Sequence, residues 1–261
     1  MCIRDRFNPF FIPKLIPDIC PGLIAIKYDF RGPNFATVSA CASGSNAIID
    51  AYNYILSDTS DIIITGGSRE GLKITALTYT NHGDEIIAGY PTYLTMMKYA
   101  EHRGASINWV PVDENKSYDL DEIEKRISAK TKLIFLCNPN NPTGTIVPAK
   151  KLVDFCDVVS KKAIVFSDEA YYDYIEIPNY PSMIDAVRRG DNVIVSKTFS
   201  KVYGMAGLRL GYLIAKPEIA KKISKNIVDM SNILSIEAAK EALSDKSFYE
   251  LSLIHISEPT R

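Results

Sequence analysis

Two hydrophobic periods alternate along most of this chain. Short apolar runs are bounded by turn residues: EIIAG (85–89), SINWVPV (106–112), KLIFLC (132–137), AIVFS (163–167), NVIVS (192–196) and LGYLIA (210–215). Their length and β-branched content predict strands. Between them, stretches such as TYLTMMKYAEHR and DLDEIEKRISA carry helical patterns. The alternation predicts an α/β fold, with a mainly parallel sheet and helices on both faces. Upstream, SGSNAIIDAYNYILSD (43–58) places Ala47, Ile48, Ala51, Tyr52 and Ile55 at helical spacing and predicts another helix. DIIITGGSREGLKI (61–74) reads as strand, tight turn and helix start, with Ser68 as the N-cap.

Composition narrows the classes of partner. The chain has 261 residues, 46% hydrophobic and 23% charged, with a net charge of −1. That balance gives no electrostatic reason to expect nucleic acid or an anionic membrane surface. No apolar run approaches the roughly 20 residues that span a bilayer, and no secretory leader pattern is present. Cys2, Cys20, Cys41, Cys137 and Cys156 form no CxxC pair. They are read as reduced thiols of a cytoplasmic protein, with neither a disulfide framework nor a metal site.

The two ends have a separate reading. MCIRDR (1–6) and LSLIHI (251–256) can be encoded by one DNA word on opposite strands, and that word resembles a sequencing-library adapter. Residues 1–6 and 251–261 are therefore expected to be scars of library construction, with the gene continuing beyond both.

Polar motifs cluster after the predicted strands, where the ligand site of such sheets lies. GYPTYLTM (89–96) puts Tyr93 just past a strand end. CNPNNPTGT (137–145) carries an amide at Asn141 in a turn. SDEAYYDY (167–174) places Asp168 at a strand end with Tyr171 three residues on. SKTFSKVYGMAGLRLGY (196–212) contains Thr198, Ser200, Lys201 and Arg209. Each motif alone also fits a turn, a cap or a surface pair. The GGS turn opens a helix whose free N–H groups suit a phosphate. Further upstream, Cys41 ends a β-rich run before a helix, a placement that favours a thiolate but equally fits a small buried side chain.

The four motifs, in this order over residues 68–250, resemble the large domain of class I/II aminotransferases of pyridoxal-phosphate fold type I, nearest the histidinol-phosphate aminotransferase group. The resemblance implies pyridoxal 5'-phosphate as cofactor, with Lys201 its Schiff-base lysine and Asp168 the partner of the pyridine nitrogen. It implies Asn141 and Tyr171 on the ring's phenolic oxygen, Tyr93 stacked on the ring, and Thr198, Ser200 and Arg209 on the phosphate. Ser68 and Arg69 would reach that phosphate through their amides. The implied reaction moves an amino group between an amino acid, or histidinol phosphate, and a 2-oxo acid, in an enzyme that is usually a homodimer. Family members also carry a substrate-carboxylate arginine in a C-terminal small domain. Arg103, Arg126, Arg188 and Arg189 match no such clamp, so a truncated large domain, inactive as a fragment, is expected.

Residues 7–67 resemble instead a fragment of thiolase-fold β-ketoacyl-acyl-carrier-protein synthases. That resemblance makes Cys41 an alternative, acyl-accepting nucleophile. The family's partner histidines are missing, since His82, His102 and His255 sit outside its motifs. The combined expectation is a chimera joined near residues 65–69, with an assembly product of no function as the remaining alternative.

Overall fold

The computed structural model describes residues 61–227 and 232–257, with side chains to residue 254. Cys41, the helix expected over 43–58 and the rest of residues 1–60 lie outside the described residues.

Seven strands form one sheet in the order β1-β7-β6-β5-β4-β2-β3. They are β1 Asp61–Thr65, β2 Glu85–Tyr90, β3 Ser106–Pro111, β4 Thr131–Cys137, β5 Ile164–Asp168, β6 Val193–Thr198 and β7 Gly211–Ala215. All six strand runs of the sequence reading become strands, and β1 joins the same sheet. Pairings β2–β3, β2–β4, β4–β5 and β5–β6 are parallel, while β7 runs antiparallel to both β1 and β6. β1 therefore points the same way as β6, and the carboxyl ends of β1, β2, β4, β5 and β6 share one edge. Residues 61–67, counted above with the ketosynthase-like stretch, thus supply an edge strand and turn to this sheet.

The helices are α1 Ser68–Tyr79, α2 Thr95–His102, α3 Leu120–Lys125, α4 Ala149–Val159, α5 Ile184–Arg188, α6 Pro217–Ser224, α7 Ile233–Ser244 and α8 Lys246–Ser257. α8 runs into the stretch read as adapter. Strand β4 shows why both faces need covering. Leu133, Phe135 and Cys137 pack on one side with residues of α1, α2 and α6, and Ile134 and Leu136 on the other with α3, α4 and α5. A strand apolar on both faces must be sandwiched, as parallel sheets are. Phe135 and Phe166 stack across the first layer at 6.0 Å.

Asp119 ends its loop by accepting the Glu122 N–H at 2.9 Å, capping α3. The start of α1 departs from expectation. Gly67, not Ser68, is the N-cap, with φ 87°, and its carbonyl accepts the Glu70 N–H at 3.1 Å. Only glycine holds that φ without strain. Ser68 is then the first helical residue, and its hydroxyl caps nothing. Instead the Glu70 carboxylate reaches back to the Gly66 N–H.

Among the described residues, no helix is long and apolar enough to cross a membrane, and no group of three His, Cys, Asp or Glu side chains is placed to hold a metal.

Gly211 pins the GGS turn to the sheet. A methyl there would lie 2.7 Å from the Ser68 nitrogen and 2.9 Å from the Lys197 carbonyl oxygen, both backbone atoms. Gly211→Ala is expected to destabilise the chain by about 2 kcal/mol through overpacking, read as a lower urea midpoint. Gly207→Ala, whose methyl meets nothing within 4 Å, serves as the neutral comparison.

Candidate functional site

The shared strand edge gathers the polar motifs around two cavities. The larger, about 840 Å³, is lined by Gly66, Ser68, Arg69, Tyr93, Thr198, Ser200, Lys201 and Arg209, with Lys73 and Tyr99 at one side. The smaller, about 560 Å³, is lined by Asn140, Asn141, Tyr171, Tyr174 and again Lys201. Lys201 is the side chain common to both.

Arg209 reaches its place by an unusual backbone. It closes a short 3₁₀ turn, Ala206–Leu208, with φ 54° and ψ 60°, a left-handed conformation that costs a non-glycine residue roughly 1–2 kcal/mol. Its guanidinium donates to the Ala206 carbonyl at 2.9 Å, the Gly66 carbonyl at 3.2 Å and the Ser200 hydroxyl at 3.4 Å. Those bonds bind the β6–β7 loop to the GGS turn. The approach is close enough that a methyl on Gly67 would sit 2.4 Å from Nη2. Thr198 steadies the same loop by accepting the Ser200 N–H at 3.1 Å.

Across the smaller cavity, Asn141 Nδ2 donates to the Tyr171 hydroxyl at 3.2 Å. The Lys201 ammonium lies 4.8 Å from the centre of the Tyr171 ring. A cation over a ring face is held by the ring's quadrupole. Beneath this loop, Asn140 accepts from Tyr118 at 2.6 Å and from Thr92 at 2.9 Å, fixing the turn to the end of β2.

Asp168 lines neither cavity. It ends β5 at 3% exposure, opposite Cys137 on β4 and Ser196 on β6. Burial pushes its carboxyl up to about 7, opposed by the Ala170 N–H, the Ser196 hydroxyl and the charge of Lys201. Burial likewise raises the neighbouring Cys137 thiol and Tyr118 hydroxyl far above their ordinary ranges, so both stay neutral. Among the described residues no Lys or Arg is within ion-pair distance of Asp168. A buried carboxylate without a cation is costly, and a group with a protonated nitrogen would relieve that cost.

The structure thus places Ser68, Arg69, Tyr93, Thr198, Ser200, Lys201 and Arg209 around one cavity and Asn141 and Tyr171 around the other. The sequence reading missed Gly67, Lys73, Tyr99 and Tyr174. Lys73 follows Arg69 by one helical turn, a usable signal; Tyr99 arrives from α2 and has none. The arginines set aside above are engaged elsewhere. Arg126 holds Glu122 and the Trp109 carbonyl, Arg188 pairs with Asp185, Arg189 with Asp157, and Arg103 bonds Asn81.

The raised Asp168 carboxyl sets a pH dependence. Between about pH 4 and 7 the unfolded chain has lost a proton that the folded chain keeps, so stability falls as pH rises across that window. Asp168→Asn removes that slope. In urea melts of the ligand-free chain, the variant is expected to gain on the parent between about pH 5 and about pH 8; a constant difference contradicts the buried charge.

Comparison with known proteins matches this arrangement to a family. The model of the family "Aminotransferase class I and II" matches residues 39–257, a range that takes in Cys41 and part of the ketosynthase-like stretch. A histidinol-phosphate aminotransferase of Moorella thermoacetica is 42% identical over 189 residues, which are 72% of this chain and 49% of that protein. One of Anaeromyxobacter sp. is 34% identical, over 72% of this chain and 52% of its own length. The chain spans about half the length of these curated relatives. A solved structure of a putative histidinol-phosphate aminotransferase from Erwinia carotovora superposes with TM-score 0.74 at 24% identity, covering 91% of this chain and 68% of that one. The Sinorhizobium meliloti enzyme, solved in complex with pyridoxal-5'-phosphate, superposes with TM-score 0.71 at 22% identity, covering 97% and 74%. With a family match over most of its length and the fold shared, this chain belongs to the class I and II aminotransferases.

Proposed function

We propose that this chain carries the cofactor-binding site of a pyridoxal-phosphate-dependent aminotransferase. In this reading it moves an amino group between an amino acid, or a phosphorylated amine such as histidinol phosphate, and a 2-oxo acid, and it works as a homodimer in the cytoplasm. The observation that carries the proposal is the position of Lys201. It faces hydroxyls and a guanidinium on one side, an Asn–Tyr pair on the other, and stands near a buried carboxylate. The substrate class rests on the curated relatives' names.

The donor set fits the cofactor. Ser68, Ser200 and Arg209 present hydroxyls and a planar fork at the amino end of α1, a combination suited to a phosphate dianion. The buried Asp168 lacks a cation, which a pyridinium nitrogen supplies. When bound, pyridoxal phosphate contributes an aldehyde that a lysine amine can capture and a ring that takes up the electron pair left as a Cα proton departs.

Each side chain then has its own task. Lys201 would hold the cofactor through Nζ and, when free, its amine would be the group placed to take a proton from substrate Cα. Asp168 would keep a proton on the ring nitrogen, since an anion favours the charged form of its neighbour. Asn141 and Tyr171, bonded to each other here at 3.2 Å, would donate to the ring oxygen. Tyr93 limits tilt by offering a ring face. Thr198 holds the Ser200 N–H and so shapes the phosphate loop.

No observation favours acyl transfer at Cys41. The family match runs through that residue, and the ketosynthase-like stretch enters the proposal only as a fused segment that contributes no catalytic group.

Borohydride reduction of the full chain in pyridoxal phosphate, followed by peptide mapping, is expected to fix a pyridoxyl group on Lys201. Lys201→Ala is expected to lose the label. Arg209→Met is expected to need on the order of 100-fold more cofactor for the same labelling, since a charge-assisted fork is worth roughly 2–3 kcal/mol. Label spread over surface lysines overturns the assignment.

A further inference from the structure

Behind the site, on the sheet face away from the cavities, lies a second buried cluster that the mechanism does not use. Successive residues of a strand point to opposite faces. Glu169 follows Asp168, and Lys197 lies between Ser196 and Thr198. Lys197 Nζ meets Glu169 Oε2 at 2.7 Å, with side-chain exposures of 12% and 3%. Glu169 also accepts the Ser182 hydroxyl at 2.7 Å and the Met183 N–H at 2.8 Å, and its own N–H donates to the Ser196 carbonyl at 3.0 Å.

The cluster extends to the third loop of the site. Lys197 Nζ sits 3.7 Å from the centre of the Tyr172 ring. Tyr172 donates to the Tyr180 carbonyl at 2.6 Å, and the Tyr180 hydroxyl donates to the Val147 carbonyl at 2.6 Å. Asn138, at the head of the loop that carries Asn141, donates to the Tyr180 hydroxyl at 2.7 Å. One continuous, partly buried network thus joins the end of β6 to the loops after β4 and β5.

We propose that Lys197 and Glu169 are a positioning pair: from behind the sheet they clamp the ends of β5 and β6, and so set Asp168 and Lys201 relative to each other while adding no net charge beneath them. The inference rests on the cofactor reading above. The geometry supports both halves. Two oppositely charged side chains, one on each strand end, close the gap between the two loops. Removing either leaves a single charge in surroundings that screen it poorly, on Glu169 next to Asp168 in the chain or on Lys197 beside the Ser196 that pairs with Asp168. The other titratable groups that feel Glu169 are Tyr172, Tyr180 and Cys156. Burial holds all of these above their ordinary ranges, so they are neutral near pH 7 and Asp168 is the group that responds.

The test is a pH titration of the visible absorbance of the full chain loaded with pyridoxal phosphate. Lys197→Met leaves the Glu169 anion and is expected to raise the titration midpoint by roughly 0.5–1 unit, while Glu169→Gln leaves the Lys197 cation and lowers it by a similar amount. Lys197→Arg keeps the parent midpoint and affinity. The neutral pair Lys197→Met with Glu169→Gln keeps the midpoint but binds cofactor about 10-fold more weakly, because nothing draws the strand ends together. Both of the latter avoid an unpaired buried charge and are expected to fold even where a single variant does not. Midpoints that move together, or a neutral pair that binds at full affinity, overturn the proposal. If the parent chain binds no cofactor, the cofactor reading fails separately. The opposed shifts are then read in the ligand-free chain, from the pH at which stability stops falling as Asp168 ionises.

Discussion

A carboxylate buried at the carboxyl end of a central strand is the costly feature around which the rest of the site is arranged. Asp168 is covered by β4 on one side and β6 on the other, and accepts the Ala170 N–H at 3.3 Å. Taking such a group from water is tolerated only where something repays the desolvation. The parallel strands on either side supply part of that. They bring the Lys201 loop to the same edge, and Lys201's charge opposes the rise in the Asp168 carboxyl. The remainder is what a cationic ring nitrogen would provide, so the buried carboxyl at the sheet edge and the phosphate-suited donors of the GGS turn suit the two ends of one ligand.

That arrangement depends on small residues as much as on polar ones. Gly67 turns at positive φ and lets the Arg209 guanidinium lie against it; Gly211 lets the turn rest on β7. Arg209 in turn spends backbone strain to bring its fork to the Gly66 carbonyl and the Ser200 hydroxyl. The GGS turn is therefore part of the aminotransferase sheet, whatever segment precedes it.

The inner strands were legible because each is a short run apolar on both faces, and the site residues because they follow strand ends in a fixed order. Boundaries of helices were less so. TYLTMMKYAEHR reads as helical from Thr92, yet Thr92 bonds Tyr118 and Asn140 and the helix starts at Thr95. Ser68 looked like a cap from its place after two glycines, but the positive φ of Gly67 moves the helix start one residue back. Lys197 and Glu169 gave no signal, because contact between residues 28 apart depends on strand register. The stretch around Cys41 was read as ketosynthase-like, yet the aminotransferase family match covers it from residue 39.

The chain covers about half of its curated relatives, so cofactor binding is where its own residues can be judged most directly. The decisive comparison is the dissociation constant for pyridoxal phosphate against that for pyridoxal, measured by visible absorbance on the full chain. If Ser68, Ser200 and Arg209 form a phosphate cup beside Lys201, the phosphorylated compound binds at least about 100-fold more tightly, and Arg209→Met erases most of that preference. Equal affinity for the two compounds would contradict the cup, and with it the assignment of this strand edge as the cofactor site.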